Sequence, residues 1–478
     1  VFWVQRSEKL SFLGGFHAFP GGQLDSLDAE APVTNCTDSQ RAAMISCAAR
    51  ELFEELGILL ARGADSLTVG QRASLLDDLE SGRMSWPALL QHYDLHLDDA
   101  DYTFVGRWVT PPFSSRRFDT WFFLVNGPAK QHPQLKADGE LVHGEWISAN
   151  EAYAKWSRSE VLAVPPILHA LKTLSSGLTP DLIDRFLSLP HTKAEPVRRI
   201  EFRPNFICFP VRTPTKPPAT HTNCYLIYTS RELLVIDPGS PFEDEQQALG
   251  KCVADLLSES RTLREIVLTH VHPDHVGGVN SLLAQFGEGV TVSAHKLTAE
   301  ALQGTVAVQR FIEDGELLEV RGEPSIRLRA LHTPGHARGH LCFHEDRTGT
   351  LITGDNLVGL GSVLIDPPEG NMQDYLASLD RMRRLPGLTV LFGGHGPAMA
   401  NPYRKIDEYI NHRLEREQKI LAAVREGAST PSEIVKLVYS DVSPKAHSMA
   451  ERAVLAHLEK LEIEGAISSN SDGSYVGS

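Results

Sequence analysis

The sequence predicts a multidomain chain of mixed α/β and α+β class. Its 478 residues suit roughly two or three domains. Short β-rich runs alternate with helical ones between about 200 and 400, the pattern of a layered α/β domain. Helix-rich stretches flank that region on both sides, and the last of them ends in a small hairpin pattern.

Residues 1–190 form the first segment. Phe2-Trp3-Val4 reads as a strand and is followed by a Gly/Pro loop, Gly14-Gly15 to Pro20-Gly21-Gly22. Residues 39–56 read as a helix, rich in Ala, Met, Leu and Glu and free of breakers. Strand-like runs return at Tyr102–Val109 and Thr120–Val125, and helices are expected over 149–175 and near 179–188. Trp146 and Trp156 are expected in the core. Residues 191–220 hold Pro196, Pro204, Pro210, Pro214, Pro217 and Pro218 and read as a stiff connector overlapping the first strand of the next domain. The α/β domain spans 200–400, with β runs at Cys224–Tyr228, Leu233–Ile236, Ile266–Thr269, Val290–Ala294 and Leu351–Thr353. The tail, 401–478, is mainly helical. Thr430-Pro431-Ser432-Glu433 is a capping box with Pro at the first helical position. A helix over about 446–464 stops at Gly465, and Ile467–Tyr475 reads as a hairpin turned at Asp472-Gly473. Helices followed by a hairpin suggest a winged-helix-like unit.

The densest chemistry lies at Thr269-His270-Val271-His272-Pro273-Asp274-His275, directly after the apolar run Ile266-Val267-Leu268. This is the layout of a buried strand ending in a metal-binding loop. Later Gly-marked turns carry His336, Asp355 and His395. Neutral imidazole and carboxylate suit Zn²⁺. His270, His272 and His336 make one three-nitrogen site, and Asp274, His275 and His395 a second, with Asp355 bridging. Two ions about 3.5–4 Å apart lower the pKa of a shared water and clamp a developing oxyanion.

A second constellation is Arg50-Glu51-Leu52-Phe53-Glu54-Glu55-Leu56-Gly57. On a helix, Glu51, Glu54 and Glu55 share one face. Such carboxylates repel unless a hard cation joins them, and Mg²⁺ or Mn²⁺ with a substrate phosphate fits. Arg50 can hold a carboxylate in place, and Phe19-Pro20-Gly21-Gly22 lets the backbone approach closely.

Composition narrows the partners. No apolar run is long enough to span a membrane, which takes about 18 residues. The six cysteines, Cys36, Cys47, Cys208, Cys224, Cys252 and Cys342, are scattered without a Cys-x-x-Cys pair and read as free thiols of a reducing, cytoplasmic compartment. The opening Val1-Phe2-Trp3-Val4 reads as the inside of a strand, so the natural chain is expected to begin earlier. A net charge of −15 makes the chain a poor non-specific partner for phosphate backbones. Lys436, Lys445 and Arg452 are too sparse for a phosphate-binding stripe. His221, His332 and His340 lie near the metal loops and are expected to orient ligands or pack locally rather than ligate.

Arg50–Ile58 with Gly21-Gly22 resembles the Nudix box, which implies an α/β/α sandwich cleaving a nucleoside diphosphate derivative, with Glu51 and Glu54 in catalysis and Glu51, Glu54 and Glu55 on Mg²⁺ or Mn²⁺. Asp28 stands where that family has Glu, and an insertion separates it from the box helix. Trp108-Val109-Thr110-Pro111-Pro112 and Arg116-Arg117-Phe118-Asp119-Thr120 resemble the branch that includes coenzyme A diphosphatases. His270-x-His272-x-Asp274-His275 with His336, Asp355, His395 and Asp237-Pro238-Gly239 resembles the metallo-β-lactamase superfamily, which implies an αββα sandwich and two Zn²⁺. Tyr409-Ile410-x-His412-Arg413 and Leu455-x-His457-Leu458-x-x-Leu461-x-x-Glu464-Gly465 resemble the beta-lactamase-like protein 2 group. That resemblance implies a C-terminal winged-helix-like domain and cleavage of single-stranded RNA.

The expectation is a metal-dependent hydrolase with Asp274 as ligand and proton shuttle. The tail favours RNA as substrate, and the acidic charge weighs against it. The alternatives are a glyoxalase II-like thioesterase, or a zinc hydrolase regulated by a Nudix domain that senses a nucleotide without cleaving it.

Overall fold

The computed structural model describes the chain apart from positions 11, 112, 113, 115, 138, 195, 196, 441, 442, 444–446 and 478. Pro112, Pro196 and Lys445 therefore lie outside the described residues. Two compact units emerge. The first comprises Val1–Pro112, Arg116–Val197 and Phe202–Pro204, and the second Arg198–Glu201 and Asn205–Ser478, with a few residues near 114.

In the first unit, Phe2–Arg6 is the central strand of a three-stranded sheet, between His17–Ala18 and Leu141–Trp146. Thr103–Val109 and Asp119–Leu124 form an antiparallel ladder. The helix Ser39–Leu56 is capped by the Asp38 carboxylate, which accepts from the amides of Gln40 and Arg41, and it ends at Gly57 with φ +67°. Ile45, Ala49 and Phe53 recur at four-residue spacing and pack into a core with Trp86, Leu89 and Leu75.

Two expectations need correction here. The helix expected over 149–175 is two helices, Ala149–Ser157 and Pro165–Ser175. Pro165 and Pro166 supply no amide hydrogen and are tolerated only in a first turn, so the chain breaks before them and restarts. Trp146 is 61% exposed rather than in the core, with its ring edge-on to Phe2 at 5.4 Å. The strand Leu141–Trp146, which carries it, has two exposed residues and a glycine in its middle, and so lacks a clean apolar alternation.

The second unit is built on two facing sheets. One has seven strands in the order Arg310–Phe311, Thr291–Ala294, Thr262–Val267, Glu232–Ile236, His221–Tyr228, Phe206–Arg212 and Ile200–Arg203. The other has five, in the order Leu317–Val320, Ile326–His332, Leu341–Glu345, Thr350–Gly354 and Val390–Gly393. Phe392 of the second sheet stacks on Tyr225 of the first at 5.6 Å. Glu243–Leu257 and Val279–Phe286 pack on the outer face of the first sheet, and Met372–Arg383 on that of the second, giving a helix–sheet–sheet–helix sandwich. Every loop that matters below leaves the C-terminal end of a strand: Asp237 after Ile236, Thr269 shortly after Val267, His336 after His332, Asp355 after Gly354, and His395 after Gly393.

The tail consists of helices Pro402–Arg425, Pro431–Val438 and His447–Ile463 and the hairpin Ile467–Ser469/Tyr475–Gly477. Thr430 and Glu433 form the capping box. Ile420, Val424, Ile434, Val454, Leu458 and Ile467 form its core. Beside that core the Glu417 carboxylate accepts from Lys460 Nζ at 2.7 Å and lies 3.1 Å from His457 Nδ1. Burial would raise the Glu417 pKa, but the bonds from His457 and Lys460 outweigh it and hold it below the usual value. A depressed carboxylate pKa adds stability above its unfolded value of about 4.3, and that stability is lost as pH falls through the folded value. Hydrogen-exchange protection factors in the helices Pro402–Arg425 and His447–Ile463 should therefore fall on acidification below about pH 4. Glu417→Gln should lower protection at neutral pH and flatten this acid dependence.

Candidate metal centre

The fully buried run Ile266-Val267-Leu268 carries the chain out of a parallel strand flanked on both sides, so Thr269 and His270 emerge with almost no freedom. Asp237, at φ +53°, lies at the matching end of the neighbouring strand. Its carboxylate accepts from the Thr269 amide at 2.8 Å, the Thr269 hydroxyl at 2.6 Å and His275 Nδ1 at 2.8 Å. Having donated its hydrogen to Asp237, the Thr269 hydroxyl accepts from His270 Nδ1 at 2.9 Å. His336 Nδ1 donates to the Leu364 carbonyl at 2.9 Å, and His395 Nδ1 to the His221 carbonyl at 2.8 Å. Carbonyls and carboxylates only accept, so these partners assign the tautomers. All four rings carry their proton on Nδ1 and turn the Nε2 lone pair inward.

The lone pairs converge. His272 Nδ1 lies 3.0 Å from His270 Nε2 and 2.9 Å from His336 Nε2. Asp274, His275 and His395 form a second set whose ligand atoms lie within 4.8 Å of one another. Asp355 stands between the sets: Oδ1 is 3.4 Å from His275 Nε2, and Oδ2 is 3.2 Å from His395 Nε2 and 3.8 Å from His336 Nε2. His275 Nε2 and Asp355 Oδ1 are buried without a hydrogen-bond partner. A lone pair facing a carboxylate is repulsive unless positive charge lies between them.

The titration behaviour has the same origin. Burial and neighbouring rings hold His270 well below its ordinary value and His336 down to about 3, so both are neutral ligands. Burial would also lower both His275 and His395, but Asp355, Asp237 and Asp274 override it at His275, and Asp355 with the His221 carbonyl at His395, so both are raised. Asp355, which burial would raise, is held well below the usual range by His395 and His275. The donor set fits two divalent cations of the zinc type. Asp237 also lies close to His270 and His275, but both its oxygens already accept from Thr269 and His275, an orienting role.

Several contributors were not legible as such. Asp237 stood out only as part of a turn. Asn223 Nδ2 donates to the carbonyls of Gly393 and Gly396 at 2.9 and 2.8 Å and so braces the loop bearing His395. Asn356 Nδ2 donates to the Thr333 carbonyl at 2.8 Å, steadying the turn to His336. His340 Nε2 accepts from the Asp355 amide at 3.2 Å, an orienting role. His221 contributes its carbonyl, while His332 stacks on His295 at 4.1 Å and takes no part in either ligand set. Gly394 allows a close approach: a Cβ there would lie 2.2 Å from Asp355 Oδ1 and 2.8 Å from His275 Cε1.

The carboxylates of the first unit behave differently. Glu51, Glu54 and Glu55 share the helix Ser39–Leu56, but Arg50 stands where a cation would, 3.0 Å from Glu51 and 2.8 Å from Glu54. Arg50 also grips the buried Asp28 with both arms of its fork at 2.9 Å. Glu55 turns instead to the Gly21 amide at 3.0 Å, and burial pushes its pKa up to about 7. Glu51 accepts from the Gln23 amide at 3.1 Å, and a Cβ on Gly22 would lie 2.2 Å from its carboxylate.

Asp237→Asn would set an amide N–H against the Thr269 and His275 donors. It is expected to destabilise the second unit by about 3 kcal/mol and to lower metal content, read by elemental analysis beside thermal unfolding. Gly394→Ala should lower metal content by displacing Asp355, with little effect on the first unit's unfolding.

Residues 217–395 match the Metallo-beta-lactamase superfamily model, and residues 430–475 match the Beta-lactamase associated winged helix domain. A Beta-lactamase-like protein 2 homolog from Caenorhabditis elegans is 30% identical over 249 residues, covering 52% of this chain and 80% of the relative. An Atrochrysone carboxyl ACP thioesterase from Aspergillus chevalieri is 31% identical over 249 residues, covering 50% of this chain and 75% of the relative. A solved NUDIX hydrolase from Alicyclobacillus acidocaldarius is 34% identical, covers 37% of this chain and 83% of its own, and superposes with a TM-score of 0.33. With its converging imidazoles and carboxylates set at strand ends of a two-sheet sandwich, the chain belongs to the metallo-β-lactamase superfamily of metal-dependent hydrolases.

Proposed function

We propose that the second unit hydrolyses a thioester by attack of water on the acyl carbon. The observation that carries the reading is the pair of ligand sets with Asp355 between them. Two cations bound there supply Lewis acidity to activate water and to stabilise the developing oxyanion. The protein's own part is orientation and proton transfer. Asp237, Leu364 and His221 hold the rings in one tautomer. Asp274, at the less buried side of the centre and within 3.4 Å of the Thr222 hydroxyl, takes the proton that the attacking water loses. The thiol leaves as a thiolate, a good leaving group that needs no strong acid.

Two observations favour the thioester. A relative sharing this half of the chain is named as a thioesterase. Three of the tail's guanidinium groups are committed inside the chain: Arg413 donates to the Val363 carbonyl, Arg416 to that of Val438, and Arg452 pairs with Asp366. A second reading, cleavage of single-stranded RNA, draws support from the likeness to Beta-lactamase-like protein 2 homologues and from the winged-helix domain. For the first unit we infer Mg²⁺-dependent cleavage of a pyrophosphate in a nucleoside diphosphate derivative of coenzyme A type, with Arg50 arranging Glu51 and Glu54.

A panel of an acyl thioester, single-stranded RNA and coenzyme A tests these readings on one protein. Thiol release should exceed background and fall at least about a hundredfold in His272→Ala; no release by wild type would sink the thioester reading, and His272-dependent RNA cleavage would put the second in its place. Glu54→Gln should abolish pyrophosphate cleavage and leave thioester hydrolysis unchanged.

A further inference from the structure

The loop Leu357–Gly370 joins a strand of the second sheet to the helix Met372–Arg383, and in passing it supplies one group to the metal centre, the Leu364 carbonyl that receives His336 Nδ1–H. Leu364 makes that bond with its backbone, so its accuracy depends on whatever holds the loop. The sandwich holds the far end, where Asn371 donates to the Gly335 carbonyl at 2.7 Å; within the loop, Gly370 donates to the Asp366 carbonyl at 2.8 Å. The middle is held by the tail. Arg413, 5% exposed on the helix Pro402–Arg425, donates to the Val363 carbonyl, the residue before Leu364. Its guanidinium lies over the Tyr375 ring at 5.4 Å, and the Tyr375 hydroxyl donates to the carbonyl of Asn356, the residue just before that loop, 2.7 Å away. Arg452, on His447–Ile463, grips the other side of Leu364 by pairing with Asp366 and donating to the Pro367 carbonyl. Tyr409 adds a bond to the Val358 carbonyl at 3.1 Å.

Arginine suits this work because its planar fork can hold a carboxylate and a carbonyl at once in a fixed orientation. Two arginines from two tail helices thus bracket Leu364, one at the residue before it and one at the two residues beyond its neighbour Ile365. A polar partner that orients a ligating imidazole typically changes metal affinity by about ten- to a hundredfold.

We propose that Arg413 and Arg452 are positioning residues for His336, acting through Val363, Asp366 and the Leu364 carbonyl, so that the C-terminal helices form part of the frame of the three-histidine metal position. The proposal rests on the metal centre described above.

The test is a titration of the metal-stripped full chain with Co²⁺, followed by its visible absorption and by chelator competition. His336→Ala identifies the binding step that belongs to the three-histidine position. Arg452→Ala and Asp366→Asn, which break the same half-exposed pair from opposite sides, should each weaken that step by about three- to tenfold. They should alter its absorption band and leave the other step unchanged. The double variant should be no worse than Arg452→Ala alone, because that variant already removes the pair with Asp366. Arg452→Lys, which keeps the charge without the fork, should recover little of the loss. Unchanged affinity at that step in both single variants overturns the proposal, as does an equal loss at both steps. Failure of the wild-type chain to bind two ions would overturn the metal centre itself, and the proposal with it.

Discussion

One buried carboxylate orders the centre. Asp237 accepts an amide, a hydroxyl and an imidazole N–H, all from the stretch that follows the neighbouring strand. The three bonds act in sequence. By taking the Thr269 hydrogen, Asp237 forces that oxygen to accept from His270, and the His270 lone pair must then point inward. By accepting the His275 Nδ1–H bond, it turns the second ring the same way. A single acceptor thus sets one ligand in each of the two metal positions. Its own place follows from the parallel pairing of Glu232–Ile236 with Thr262–Val267, which brings the two strand ends level.

The remaining rings obey the same rule with different acceptors. His336 is turned by a loop carbonyl and His395 by a strand carbonyl, each from a different part of the second unit. Ligand geometry therefore reports the registry of several elements at once. A shift of one loop rotates one ring, and the centre depends on the whole sandwich being assembled rather than on any local motif.

Much of this was legible in the sequence for a physical reason. Buried parallel strands need continuous apolar runs, and loops at their ends need glycine, so Ile266–Leu268 and the Gly-flanked His336, Asp355 and His395 stand out against a polar background. The helix Ser39–Leu56 showed its composition, and Gly57 its stop. The rest was illegible because it lies in backbone groups or distant partners. The carbonyls of Leu364 and His221 leave no mark on residue type, and Asp237 acts on residues more than thirty positions away. Periodicity also misled where it averaged over a local break, as at Pro165, or where a half-exposed edge such as Leu141–Trp146 offered no clean alternation. In the first unit, the shared helix face of Glu51, Glu54 and Glu55 was plain, but the insertion of Arg50 between two of them depends on side-chain reach that spacing does not encode.

The chemistry of the two sites differs in how each manages charge. Around Arg50 the carboxylates already meet a guanidinium, so the arrangement is close to electrically satisfied, and a hard cation has to compete with Arg50 for Glu51 and Glu54. In the second unit the lone pairs of His275 and His395 meet carboxylates directly, inside a region shielded from water. Only protonation or a bound cation removes that repulsion, and because the tautomers are fixed from outside, protonating Nε2 costs the ring its neutral form. A divalent cation answers both lone pairs and carboxylates at once. Its binding free energy therefore adds to the stability of the sandwich, since the unfolded chain offers no such convergence. Folding and metal affinity are then two readings of the same hydrogen bonds, with Asp237 contributing to both.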